Sequence, residues 1–254
     1  MRVKAFLKSS PFEYLLLILL ALTCFTLPAY ADSVVVPSAF QATEASSGQF
    51  STLGSAARTL QFAYDSSQLG SLTAGSVITG LSFRLDGGMA SNPSLSYSSY
   101  DIRLSTSLNN PGSLSSTFAN NVGADVVLVR SGPLTFAAGS FPGGVTPNAF
   151  GPVIAFTTLY PYTGGDLLLT IRHTGNGAAS QFVDAVPNTS GLYQGLGADT
   201  DTATTELAGF VTNAPIVQFT TAPVPEPATF SLLLVGMLVF LAISKLKFRL
   251  KSER

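Results

Sequence analysis

The chain of 254 residues has one cysteine, one histidine and no tryptophan. A lone Cys24 cannot close an intramolecular disulfide, and one Cys with one His falls short of the usual zinc ligand sets. Lysine is missing from the whole interval Asp32–Pro223. There, five arginines (Arg58, Arg84, Arg103, Arg130 and Arg172) face eleven Asp and Glu residues, a net charge of −6. An acidic surface repels phosphate backbones, which argues against a nucleic-acid partner. The whole-chain charge of −1 hides this, because the remaining basic residues sit at the two ends. Long uncharged apolar runs are also absent from the middle and occur only at those ends.

At the N-terminus, Arg2, Lys4 and Lys8 precede an apolar core from Tyr14 to Leu27, followed by Ala29-Tyr30-Ala31. A basic start, an apolar core and a small-x-small site are the layout of a secretory signal peptide, residues 1–31, cut by signal peptidase after Ala31. The alternative is an uncleaved anchor. Thr23 stands before Cys24 where a lipidation site wants a smaller residue, so Cys24 leaves with the peptide. The domain that remains is exported without disulfide staples. Its roughly 190 residues suffice for one domain with a core of its own.

The other end, residues 224–254, has three parts in fixed order. Val224-Pro225-Glu226-Pro227 is stiff and unsuited to a helix. Ala228 to Ser244 carries no charge, and as a helix it would span about 26 Å, the short end for a bilayer core of about 30 Å. Lys245, Lys247, Arg249, Lys251 and Arg254 then form a basic tail expected on the cytoplasmic side, with the bulk of the chain outside. The alternative is a buried core helix, opposed by the missing polar face and the basic block.

A Pro-Glu-Pro motif, an apolar span and a short basic tail at the C-terminus resemble the PEP-CTERM sorting signal of bacteria. The resemblance implies that an exosortase recognises Pro225, Glu226 and Pro227 and releases or re-attaches the protein. A GPI signal is the nearest look-alike, but it should end in its hydrophobic tail. Leu114 to Asp125 also resembles ectodomain sequence that accompanies this signal, without bringing a known activity.

Between the ends, short β-branched and aromatic segments alternate with Gly, Ser, Thr, Asn and Pro. Strands are expected near Thr59–Tyr64, Ile78–Leu85, Tyr100–Thr106, Val126–Arg130, Val153–Leu159, Leu167–Arg172 and Ile216–Thr220. Leu81, Phe83 and Leu85 should face in while Ser82 and Arg84 face water. Ile102 and Leu104 should do likewise against Asp101, Arg103 and Ser105. Period two with one wet face predicts antiparallel sheets. The expected fold is all-β, an antiparallel, jelly-roll-like sandwich over residues 32–223. Ala90–Ser99 and Gly139–Gly151 read as surface loops. Gly175–Ala208 reads as a mobile loop with a short strand at Gln181–Ala185, and Asp32–Gly54 as an edge strand or partly disordered.

Candidate chemistry is sparse. His173 falls in phase with Leu167, Leu169 and Ile171, which suits a partly buried imidazole held by a carbonyl. A triad needs a positioned nucleophile, and no G-x-S-x-G elbow exists. Glu44 and Glu206 are the interval's two glutamates, and its aspartates are scattered, a poor start for a glycosidase pair. Asp199-Thr200-Asp201 is the best place for a structural calcium ion. Tyr160-Pro161-Tyr162 could stack on a sugar but suits core packing better. The arginines, one per strand, suit cross-strand pairing with aspartates at the surface. No catalytic, cofactor or metal residues are expected. The overall expectation is a non-enzymatic envelope or matrix protein, structural or adhesive, in contact with the membrane and with extracellular polysaccharide. The alternatives are a secreted carbohydrate-binding module and a secreted hydrolase.

Overall fold

The computed structural model describes residues 32–222, apart from 209 and 211, together with residue 236. The expected signal peptide with its Ala29 and Ala31 site, the Pro225-Glu226-Pro227 motif, the expected apolar span and the basic tail lie outside these residues. Among the described residues no helix is long and apolar enough to cross a membrane.

The domain is all-β, with fourteen strands and three short 3₁₀ turns among the described residues. The strands are β1 (Asp32–Val36), β2 (Ser47–Leu53), β3 (Arg58–Tyr64), β4 (Val77–Phe83), β5 (Leu95–Tyr97), β6 (Tyr100–Thr106) and β7 (Val127–Arg130). They continue with β8 (Leu134–Phe136), β9 (Ile154–Pro161), β10 (Leu167–His173), β11 (Gln181–Val186), β12 (Tyr193–Ala198), β13 (Ala214–Pro215) and β14 (Val217–Ala222). Four sheets result, ordered β1-β14-β4-β9, β12-β3-β10-β6-β7, β13-β11-β2 and β5-β8. Every strand pair is antiparallel.

The central strand of the largest sheet is β10, Leu-Leu-Leu-Thr-Ile-Arg-His. Its near-continuous apolar run suits a strand covered on both faces, and Leu167, Leu168, Leu169 and Ile171 are all buried. One contiguous apolar cluster joins the sheets. It includes Leu81, Phe83 and Phe219 of the four-stranded sheet, Phe62, Ile102 and Leu169 of the five-stranded one, and Leu53 and Val183 of the three-stranded one.

Leu81, Phe83, Leu85, Ile102 and Leu104 point inward as their period implies. The expected wet face is only partly wet: Ser82, Arg84 and Ser105 are buried as well. Alternation fixes which side a residue faces, and here loops then fold back over the outer sides.

Three segments are more ordered than their composition suggests. Residues 32–54 hold β1 and β2, residues 90–99 hold β5, and the long stretch 175–208 holds β11 and β12. In each, long-range pairing overrides weak local preference. β1 pairs along β14, with Asp32 opposite Thr221 and Val36 opposite Val217.

Candidate functional site

His173 ends β10 fully buried. Its Nδ1 accepts from the Gly175 N–H at 3.0 Å, so Nε2 carries the proton and donates to the Ser51 carbonyl at 2.7 Å. The ring stacks on Tyr100 at 5.3 Å and meets Tyr97 edge-on. Burial lowers its pKa to about 4, and Arg58 pushes in the same direction. With both nitrogens engaged, the imidazole is neutral and structural.

Tyr160 and Tyr162 are buried too, so no exposed stacking platform forms there. The Tyr160 hydroxyl donates to Asp125 at 2.7 Å, and Tyr162 donates to the Gly165 carbonyl at 2.5 Å. Asp125 also accepts from the Thr106 N–H and hydroxyl, at 2.9 and 2.8 Å. Asp199 and Asp201 lie in a turn, one exposed and one half-buried, and among the described residues neither belongs to a cluster of metal-ligating side chains.

The arginines do not pair at the surface as their spacing suggests. Arg130 donates to the Tyr100 and Gly132 carbonyls, and Arg172 to that of Ala203. One ion pair forms among the described residues, and it is buried: Arg84 to Asp184, at 2.5 Å. Arg84 Nε donates to Asp184 at 2.7 Å, a second nitrogen reaches the Thr43 carbonyl at 2.6 Å, and the guanidinium lies 5.3 Å from the Phe150 ring centre. Asp184 also accepts from the Ala45 N–H.

Glu44, Asp86 and Asp184 each offer one carboxylate oxygen within 4.8 Å of the others. Nothing in the sequence foretold this, since the three lie on separate segments. Burial raises the pKa of Asp184 despite Arg84, and raises that of Glu44 with help from Asp184. Glu44 Oε1 accepts from the Gly87 N–H at 2.5 Å. With Asp184 held by Arg84 and Ala45, the group ties the 43–45 loop to the end of β4. Glu44 Oε2, in the same group, is buried without a hydrogen-bond partner among the described residues.

A second arrangement lies on the outer face of the five-stranded sheet. The segment from Leu114 to Asp125, noted in the sequence, crosses this face as a strap. Asn121, fully buried, pins it: its Nδ2 donates to Gln61 Oε1 and the Ser115 carbonyl, and its Oδ1 accepts from the Ser115 N–H and from Asn109. Gln61 Nε2 reaches the Phe118 carbonyl in return. Phe118, Leu196 and Ala198 form a small apolar cluster beneath the strap. The segment 204–207 runs alongside, with the Phe118 N–H on the Thr204 carbonyl and the Glu206 N–H on the Ser116 carbonyl.

Where strap, β12, Glu206, Phe210 and Thr212 meet, an open depression of about 500 Å³ forms, with Gln194 and Leu114 also among its walls. Gln194 Oε1 is fixed by the Gly112 and Leu114 N–H groups at 2.7 and 3.0 Å. Arg58 covers one face of the Phe210 ring at 5.4 Å. Partial burial raises the Glu206 pKa. Sequence reasoning named Glu206 only as one of two glutamates. No family model matches this chain, and no curated protein matches it.

Proposed function

We propose that the chain is an exported cell-envelope or extracellular-matrix protein with a structural or adhesive role. Its ectodomain is a jelly-roll-like sandwich, and an exosortase sorts it through Pro225, Glu226 and Pro227. The observation that carries this reading is the tripartite C-terminus together with the signal-peptide layout at the other end. The fold is consistent with it. β1 and β14 are the first and last strands among the described residues. The two strands are antiparallel neighbours with Asp32 opposite Thr221, so both ends leave from one end of one sheet. The four- and five-stranded sheets share one apolar cluster, which favours a sandwich.

The test is intact mass and fractionation of the protein from its own host, beside a triple variant with Pro225, Glu226 and Pro227 changed to Ala. The expected result is a wild type that loses its C-terminal span and leaves the inner membrane, with the variant retained. Equal retention of both would reduce the tail to a plain anchor and overturn the sorting role.

A further inference from the structure

We infer that the depression beside Glu206 is a binding site for a neutral sugar ring. The argument begins with hydrogen-bonding capacity. Among the described residues, the Glu206 carboxylate, Gln194 Nε2 and Ser116 Oγ have no protein partner, while all three residues line one concavity. Gln194 is held in place through its other atom, so its amide donors are positioned in advance. The site thus presents a strong acceptor, a fixed donor and a hydroxyl that does both. Leu114, Leu196 and Phe210 add apolar surface beside them.

That combination selects a ligand class. An anion is disfavoured by Glu206 and by the domain's net charge of −6. A simple ammonium would suit the carboxylate but leave the Gln194 donors facing a group that cannot accept. A divalent cation would find one carboxylate where it needs several oxygen ligands. An apolar molecule would strip water from three polar groups without replacing it. Sugar hydroxyls both donate and accept, and the C–H faces of the ring pack on apolar walls. A volume of about 500 Å³ lies within the usual range for small-molecule sites and holds a sugar ring with some water.

The site rests on geometry independent of sorting, although a sugar ligand would suit the matrix role proposed above. The full chain, purified in a sugar-free detergent, is titrated with glucose, galactose, mannose, glucosamine and glucuronate, and binding is read by saturation-transfer NMR. At least one neutral hexose should bind saturably, with a dissociation constant of the order of 1 mM. Glu206→Gln should weaken it about tenfold, the loss expected for one hydrogen bond to a charged group. Gln194→Glu, which keeps the acceptor for Gly112 and Leu114 but removes the donors, should weaken it as well. Thermal unfolding of both variants establishes that they fold. Absence of saturable binding by every neutral hexose, wild-type affinity in folded Glu206→Gln, or equal binding of glucuronate would each overturn the inference. Loss of sorting in the host would leave this result unaffected.

Discussion

Arg84 directs its guanidinium at Asp184, the Thr43 carbonyl and the Phe150 ring, and it is buried. Glu206, on the outer face of another sheet, has a half-open carboxylate with no partner among the described residues. Both are charged groups with altered surroundings, and burial raises the pKa of Glu206 as it does that of Asp184. The pKa direction therefore does not tell them apart. The partner list does. A charge whose hydrogen-bonding capacity is filled by its own chain holds the fold together, and one whose capacity is unfilled beside a concavity is available to a ligand.

The sharpest way to break this contrast is to remove Asp184. Asp184→Ala leaves the Arg84 charge buried and unpaired, which typically costs about 3–5 kcal/mol. Urea unfolding should report a loss of that size. Replacing both partners with apolar residues of similar volume, Arg84→Met with Asp184→Leu, should recover only part of it, because the unpaired charge is gone but the Thr43 carbonyl and the Ala45 N–H lose their partners. A single-variant loss below about 1 kcal/mol would mean that water reaches Arg84 and that the anchor is not one.

His173 sharpens the same comparison through pH. Its folded-state pKa is near 4 against an ordinary value of 6.5. The unfolded chain thus binds a proton that the folded chain refuses. This stabilisation is complete above about pH 6.5, falls as pH drops toward 4, and is flat below. The full swing is about 3 kcal/mol. Glu44 and Asp184, with raised values, act in the opposite sense at acid pH. The imidazole is therefore isolated by the difference between wild type and His173→Gln. Denaturation midpoints from pH 4 to 7 should converge as pH falls. Parallel curves would show that the ring takes a proton without leaving its place against Tyr100.

The sequence made the strands of the central sheet legible. β6 has the bounds that its alternation implies, Tyr100–Thr106, and β10 extends one residue beyond the expected Leu167–Arg172. Strands rich in small residues were not legible. β12 reads Tyr-Gln-Gly-Leu-Gly-Ala, and its glycines look like loop. In the fold they mark close approach: a Cβ on Gly195 would lie 2.7 Å from the Thr212 carbonyl, and one on Gly197 2.5 Å from the Phe210 ring. The same contacts bring Phe210 and Thr212 against β12 and help shape the depression. Its walls come from segments scattered between residues 114 and 212. No local pattern joins Leu114 to Glu206, because strap and sheet meet through long-range bonds of Gln61, Asn121 and Gln194 and through the packing of Phe118 on Leu196.

The smallest expected effect is on the other side of the contrast. Glu206→Gln keeps the side chain's size, removes a charge that no protein group answers among the described residues, and leaves the Glu206 N–H on the Ser116 carbonyl. Its stability should stay within about 0.5 kcal/mol of wild type, as for surface changes away from cores and networks. The direction should be toward greater stability at neutral pH, because burial disfavours the ionised form that Gln lacks. Urea unfolding of the full chain at pH 7, alongside Asp184→Ala in the same buffer, makes the comparison direct. A loss above about 1 kcal/mol in Glu206→Gln would place its carboxylate in the fold's own hydrogen-bond network. The distinction between a filled anchor and an unfilled site would then fail at the residue on which it depends most.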